Sequence, residues 1–460
     1  MRYTKLALAA MTAAVLAACG GGSGAPKAGD NSQQRVKFAS QVSFGDSLSD
    51  VGTYAVGTVK ALNGGKWTIN GNNTSINPDL TGKNWTELMA AQFGLPAPCP
   101  AVTGLDGDAT KGFSVPVTTN ASCFGYAQGG ARVSNPVGSG HKATGSAFGA
   151  LTYPVSKQID NHLAKVGGKF KGDEVVFMMA GANDILGLLG SLQLNATAAG
   201  TAAGKQAFAT SLATQLAAGA TNPATAAQAI GLAMATEAAK PGSTDQTVVT
   251  AGVTAAVMAG NTAAGSPAVY GPMVAKAQAD AATAGAKAGA DYAAAQGPAQ
   301  VAAMGALGTE LANMVKTKLI GNGANYVVVM NIPDVATTPS AASKDANTRG
   351  LIDNMAKAFN AALATGLASE TKALLVDVYT VSHDQIVNPG PYGLTNVTDT
   401  ACDLTPAKNP LGQSVVCTAS NLKAGDVSHY SFADDLHPTP FNYLLLARYV
   451  SKAMVTRGWL

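Results

Sequence analysis

From Phe38 onward, short apolar runs alternate with stretches whose apolar residues recur at helical spacing, the pattern of an α/β fold. Residues 174–180, where Val175, Val176 and Phe177 stand in succession, predict a buried strand, and residues 326–330 and 373–378 predict two more. Helices are predicted over 84–93, where a capping-type start leads to Gly94 and Pro96, and over 155–166, 309–320, 351–368 and 441–456. The run Val42-Ser43-Phe44-Gly45-Asp46-Ser47-Leu48-Ser49-Asp50 predicts a strand, a tight turn carrying Ser47, and a helix start. A turn of that kind lifts a hydroxyl out of the sheet and leaves backbone N–H groups free around it.

Residues 189–306 break the alternation. Alanine, glycine and threonine dominate there, with few aromatic or charged residues. Alanine favours helix, the glycines blur every boundary, and Ala-Ala-Gly recurs without a fixed period. The stretch is expected to be a helical insertion, either a lid over the site or an elaboration that never meets substrate.

Residues 1–18 read as an export signal, with Arg2 and Lys5 ahead of an apolar run too short to span a bilayer. The run ends in Leu16-Ala17-Ala18-Cys19-Gly20, which resembles the lipobox of bacterial lipoproteins. That resemblance implies cleavage before Cys19 and its lipidation. Gly20, rather than an aspartate, then favours the outer membrane. The Gly/Ser/Ala-rich residues 19–37 are expected to be a flexible tether ahead of one domain over 38–460.

Setting Cys19 aside leaves Cys99, Cys123, Cys402 and Cys417, an even number suited to an oxidising compartment. Three pairings are possible, and local proximity favours Cys99–Cys123 and Cys402–Cys417. The formal charge of +3 includes Arg2 and Lys5, so the remainder carries no bulk field for nucleic acid. His141, His162, His383 and His429 show no metal-ligand spacing, and no Walker, dinucleotide or Gly-x-Ser-x-Gly pattern occurs. No metal and no cofactor is expected.

Four short blocks carry the candidate chemistry: Gly45-Asp46-Ser47-Leu48, Tyr126-Ala127-Gln128-Gly129-Gly130-Ala131, Gly181-Ala182-Asn183-Asp184, and Asp434-Asp435-Leu436-His437. In that order they resemble the SGNH/GDSL hydrolases, over about residues 42–188 and 310–460. Asn388-Pro389-Gly390-Pro391-Tyr392-Gly393 is similar to larger bacterial members. The resemblance implies a three-layer α/β/α fold with a mostly parallel central sheet. It implies a carboxylic-ester hydrolase with Ser47 as nucleophile, His437 as base and Asp434 as its partner. The oxyanion hole would be formed by Ser47 N–H, Gly129 N–H and the Asn183 side chain. Asp46, Asp50 and Asp184 suit caps and turns, Asp435 a solvated position, and His429 a loop role. The implied partner is an acyl-ester or lipid-like substrate. Acyl transfer, phospholipase action and a non-catalytic surface-binding lipoprotein remain as alternatives.

Overall fold

The computed structural model describes residues 35–460; the export signal at 1–18, Cys19 and most of the tether at 19–37 lie outside them. Strands β1 (Ser40–Gly45), β4 (Glu174–Met179), β5 (Tyr326–Met330) and β6 (Ala373–Val376) form a parallel sheet in the order β1-β4-β5-β6. Between β1 and β4 come a hairpin of β2 (Val102–Asp106) and β3 (Ser114–Thr119), with β7 (Asn396–Thr400) and β8 (Tyr430–Phe432) pairing after β6. Residues 124–126 lie along the free edge of β1, with Ser43 N–H bonded to the Phe124 carbonyl and Tyr126 N–H to that of Ser43.

The strands are apolar on both faces because helices cover both. Val42, Val176 and Val327 are in register on one face, packed with Ile159 of α2 (Val155–Lys165) and Met355 and Phe359 of α7 (Ala346–Leu367). Val175, Phe177 and Val328 point to the other face, against Trp85 and Met89 of α1 (Trp85–Gln92) and against α9 (Pro440–Arg457). Along α9 the buried Tyr443, Ala447, Val450 and Met454 follow helical spacing. Each large side chain so buried stabilises by about 1.5–3 kcal/mol. The start of α1 is a capping box: the Asn84 side chain accepts from the N–H groups of Thr86 and Glu87, and Glu87 accepts from Asn84 N–H.

The alanine-rich region is helical, but its ends differ from those expected. Helix α3 (Ala182–Ala217) begins directly after β4, followed by α4 (Pro223–Ala238), α5 (Asp245–Met258) and α6 (Pro267–Met314). Nothing in helix propensity changes at 189 or 306, so α3 and α6 run unbroken from the domain into the arm. Pro298 interrupts the hydrogen bonding of α6 beside Gly297, which packs on Leu351 of α7. Both favoured disulfides are present, Cys99–Cys123 and Cys402–Cys417. Among the described residues no helix is long and apolar enough to cross a membrane.

Candidate active site

The site lies beyond the carboxyl ends of β1 and β4, where ligands of open α/β sheets bind. Strand β1 ends at Gly45 with φ +148°, and a Cβ there would run into the Met179 carbonyl of β4. The chain then turns: Ser49 N–H bonds the Asp46 carbonyl at 3.1 Å, and Asp46 Oδ1 accepts from Leu48 N–H at 3.1 Å. The expected helix start at Ser49-Asp50 does not form. Asp50 Oδ1 instead accepts from Gly52 N–H at 2.9 Å and Thr53 N–H at 2.8 Å, which closes a turn. Ser47 N–H has no acceptor among the described residues.

Ser47 and His437, 390 positions apart, meet with Oγ donating to Nε2 at 2.9 Å. On the other side of the ring, Nδ1 lies 2.8 Å from Asp434 Oδ2 and 2.9 Å from Oδ1. A carboxylate only accepts, so Nδ1 carries the proton and Nε2 is free to take one from Ser47. Asp434 is held by the N–H groups of Ser414 at 2.7 Å, Leu436 at 3.0 Å and His437 at 2.7 Å. Burial alone would push its pKa up, but the His437 imidazole and these donors outweigh it and hold the carboxyl well below its usual range. For His437, burial opposes the charged form, yet the Asp434 carboxylate prevails and raises its pKa. Asp435 is exposed, as expected. His429 joins loops, reaching Asp79 at 2.8 Å and the Gly393 carbonyl at 2.9 Å.

The glycine block differs from expectation at one atom. Gly129 N–H, expected to face an oxyanion, donates to Asp50 Oδ2 at 2.9 Å inside the protein. Its neighbour Gly130, with φ +82°, has an N–H without an acceptor among the described residues. Asn183 Nδ2 donates to the Ala131 carbonyl at 3.1 Å, which brings it beside the same block and leaves its second hydrogen free. Asp184 is not a simple cap. It accepts from Arg132 Nε at 2.9 Å and Val133 N–H at 3.0 Å, a buried ion pair fastening α3 to the glycine block.

Ser47, Asn183 and His437 line one cavity, walled largely by apolar side chains including Leu48, Met179, Val378, Val381, Phe432 and Leu446. Val378 and Val381 belong to α8 (Val378–Val387). No residue between 184 and 332 lines it. Among the described residues no cluster of three His, Cys, Asp or Glu is placed to hold a metal ion.

Sequence spacing did not reveal Ser414, the hold of Asp50 on Gly129, or Trp67, whose indole lies over the His437 ring at 4.8 Å between centroids. Their partners are distant in the chain, and only the apolar-aromatic character of 67 hinted at burial. No family model matches the chain, and no curated protein matches it.

Proposed function

We propose that the protein is a serine carboxylic-ester hydrolase of the SGNH/GDSL kind. The observation that carries this reading is the unbroken chain from Ser47 Oγ through His437 to Asp434 at the wall of an apolar cavity. Ser47 Oγ attacks the ester carbonyl while His437 Nε2 takes its proton. Negative charge on the carbonyl oxygen is received by Ser47 N–H, Gly130 N–H and Asn183 Nδ2. Gly130 replaces Gly129 in this role because the Gly129 hydrogen is committed to Asp50. When the tetrahedral intermediate collapses, the C–O bond to the alcohol breaks and His437 returns the proton to the departing oxygen. Water then repeats the sequence on the acyl-enzyme, and Ser47 is released with its proton restored.

The apolar wall supports an ester with an apolar acyl group. The two disulfides fit an oxidising compartment. With the lipobox-like Cys19, they support a lipid-anchored enzyme of the bacterial envelope.

The test compares the purified protein with Ser47→Ala on p-nitrophenyl esters from acetate to palmitate, with and without an acceptor alcohol. Turnover is expected for the parent and a fall of about 10⁴-fold or more in kcat for the variant. New ester formed on the acceptor would assign acyl transfer to the same site. A folded parent inert on every ester would overturn the proposal.

A further inference from the structure

Trp67 lies in the loop ahead of α1, in a stretch where no pattern marks chemistry. Its indole covers the His437 imidazole, with centroids 4.8 Å apart and 35° between the planes. The ring is buried, and its Nε1 has no hydrogen-bond partner. An unpaired buried donor is destabilising, so a fold that keeps one is expected to gain elsewhere.

Four residues fix Trp67. Tyr54 and Phe148 meet it edge-on, with centroids at 6.4 and 6.5 Å, and Tyr443 Oη donates to the Trp67 carbonyl at 3.2 Å. The fourth is Gly129: a Cβ at that position would overlap the indole at Nε1, Cε2 and Cζ2. Glycine at 129 is therefore required by the tryptophan rather than by a substrate.

We propose that Trp67 is a positioning residue whose indole face holds the His437 ring in line with Ser47 and stabilises the imidazolium formed during acyl transfer to Ser47. The inference rests on the ester-hydrolase reading. A cation over an indole face is attracted by the ring quadrupole, most strongly where water is excluded. The titratable groups facing His437 are the carboxyls of Asp434, Asp46 and Asp435. Trp67 adds no charge to them; it supplies a polarised aromatic surface 4.8 Å from the ring, centroid to centroid.

The experiment replaces Trp67 alone, in the full chain, with tryptophans carrying one to four fluorines, which weaken the ring quadrupole at nearly constant shape. The expected result is a stepwise fall in kcat, reaching about tenfold, with KM constant within twofold. The His437 pKa, followed by NMR through the imidazole's own resonances, falls in parallel, while Asp46, which burial raises to about 7, is followed through its own carboxyl resonance. Trp67→Leu loses at least as much, Trp67→Phe recovers most of it, and Gly129→Ala, which displaces the indole, matches the leucine variant. A flat fluorine series, or an effect confined to KM, would overturn the proposal. If the parent hydrolyses no ester, the hydrolase reading fails, while the pKa series still decides the Trp67–His437 contact.

Discussion

The sheet domain and the alanine-rich arm are both well packed, yet by opposite means. Around the sheet, large side chains such as Trp85, Phe177 and Phe359 fill the space, and buried polar groups including Asp50, Asp434 and His437 are paired. In the arm, α3 and α6 run antiparallel with glycines at their contact, Gly200 against Gly285 and Ala196 against Gly289. Between 185 and 314 the buried polar residues reduce to Asn261. A small separate core at the tip joins Leu212, Leu216, Ile230 and Met234. The contrast teaches where chemistry can be built. Catalytic groups need directional neighbours that hold them in one geometry, and a seam of backbones and methyl groups provides none.

The sharpest way to test that division is Asp434→Asn. The amide keeps the shape but no longer stabilises the imidazolium, and it favours the wrong tautomer. A loss of about 10⁴-fold in kcat is expected on a p-nitrophenyl ester, with the melting profile little changed.

A smaller effect comes from His162, fully buried in α2 beside Phe44, Phe124 and Phe170. Burial, and then the charge of Lys165, push its pKa down from 6.5 to about 4. Below pH 6.5 the unfolded chain takes up a proton that the folded one refuses. The stabilisation is therefore complete above pH 6.5 and lost as pH falls toward 4. The lost contribution amounts to about 3 kcal/mol. Asp46 and Asp50, raised by burial to about 7 and about 6, act in the opposite sense. Comparing denaturant unfolding of His162→Phe and the parent from pH 7 to 4 isolates the histidine: the variant should lose less stability, and parallel curves would refute the assignment.

The smallest catalytic effect should come from Gly285→Leu. A Cβ at Gly285 would sit 2.9 Å from the Gly200 carbonyl, so the helices must separate, at a cost of about 2 kcal/mol. Hydrogen exchange should quicken in α3 and α6 while kcat stays within twofold, because residues 184–332 do not line the cavity. A marked fall in kcat would join the arm to the chemistry and break the comparison.

What was legible in the sequence follows the same physics. Strand β5 falls where the unbroken run Tyr326–Met330 predicts it, and the Asn84 cap marks the start of α1. Residues of three of the four blocks, Ser47, Asn183 and His437 among them, line one cavity, and the glycine block meets it through Ala131, whose carbonyl accepts from Asn183. Adjacent glycine N–H groups, by contrast, look alike in a sequence. Which one is free depends on the carboxylate of Asp50, 79 positions away. The helix expected at Ser49-Asp50 failed for the same reason, because that carboxylate organises a turn and a distant loop at once. Trp67 was silent because its meaning lies in a ring contact with a residue near the other end of the chain.

The Cys402–Cys417 bridge bears on when this molecule becomes competent. The loop it closes carries Ser414, whose N–H grips Asp434, and Cys402 N–H bonds the Ala433 carbonyl at 3.0 Å. The other two donors to Asp434, Leu436 N–H and His437 N–H, come from its own turn, so Ser414 is the one donor that the bridged loop brings in. On the ester-hydrolase reading, reducing this bridge would loosen the loop that supplies one of the three N–H donors to Asp434 and lower kcat.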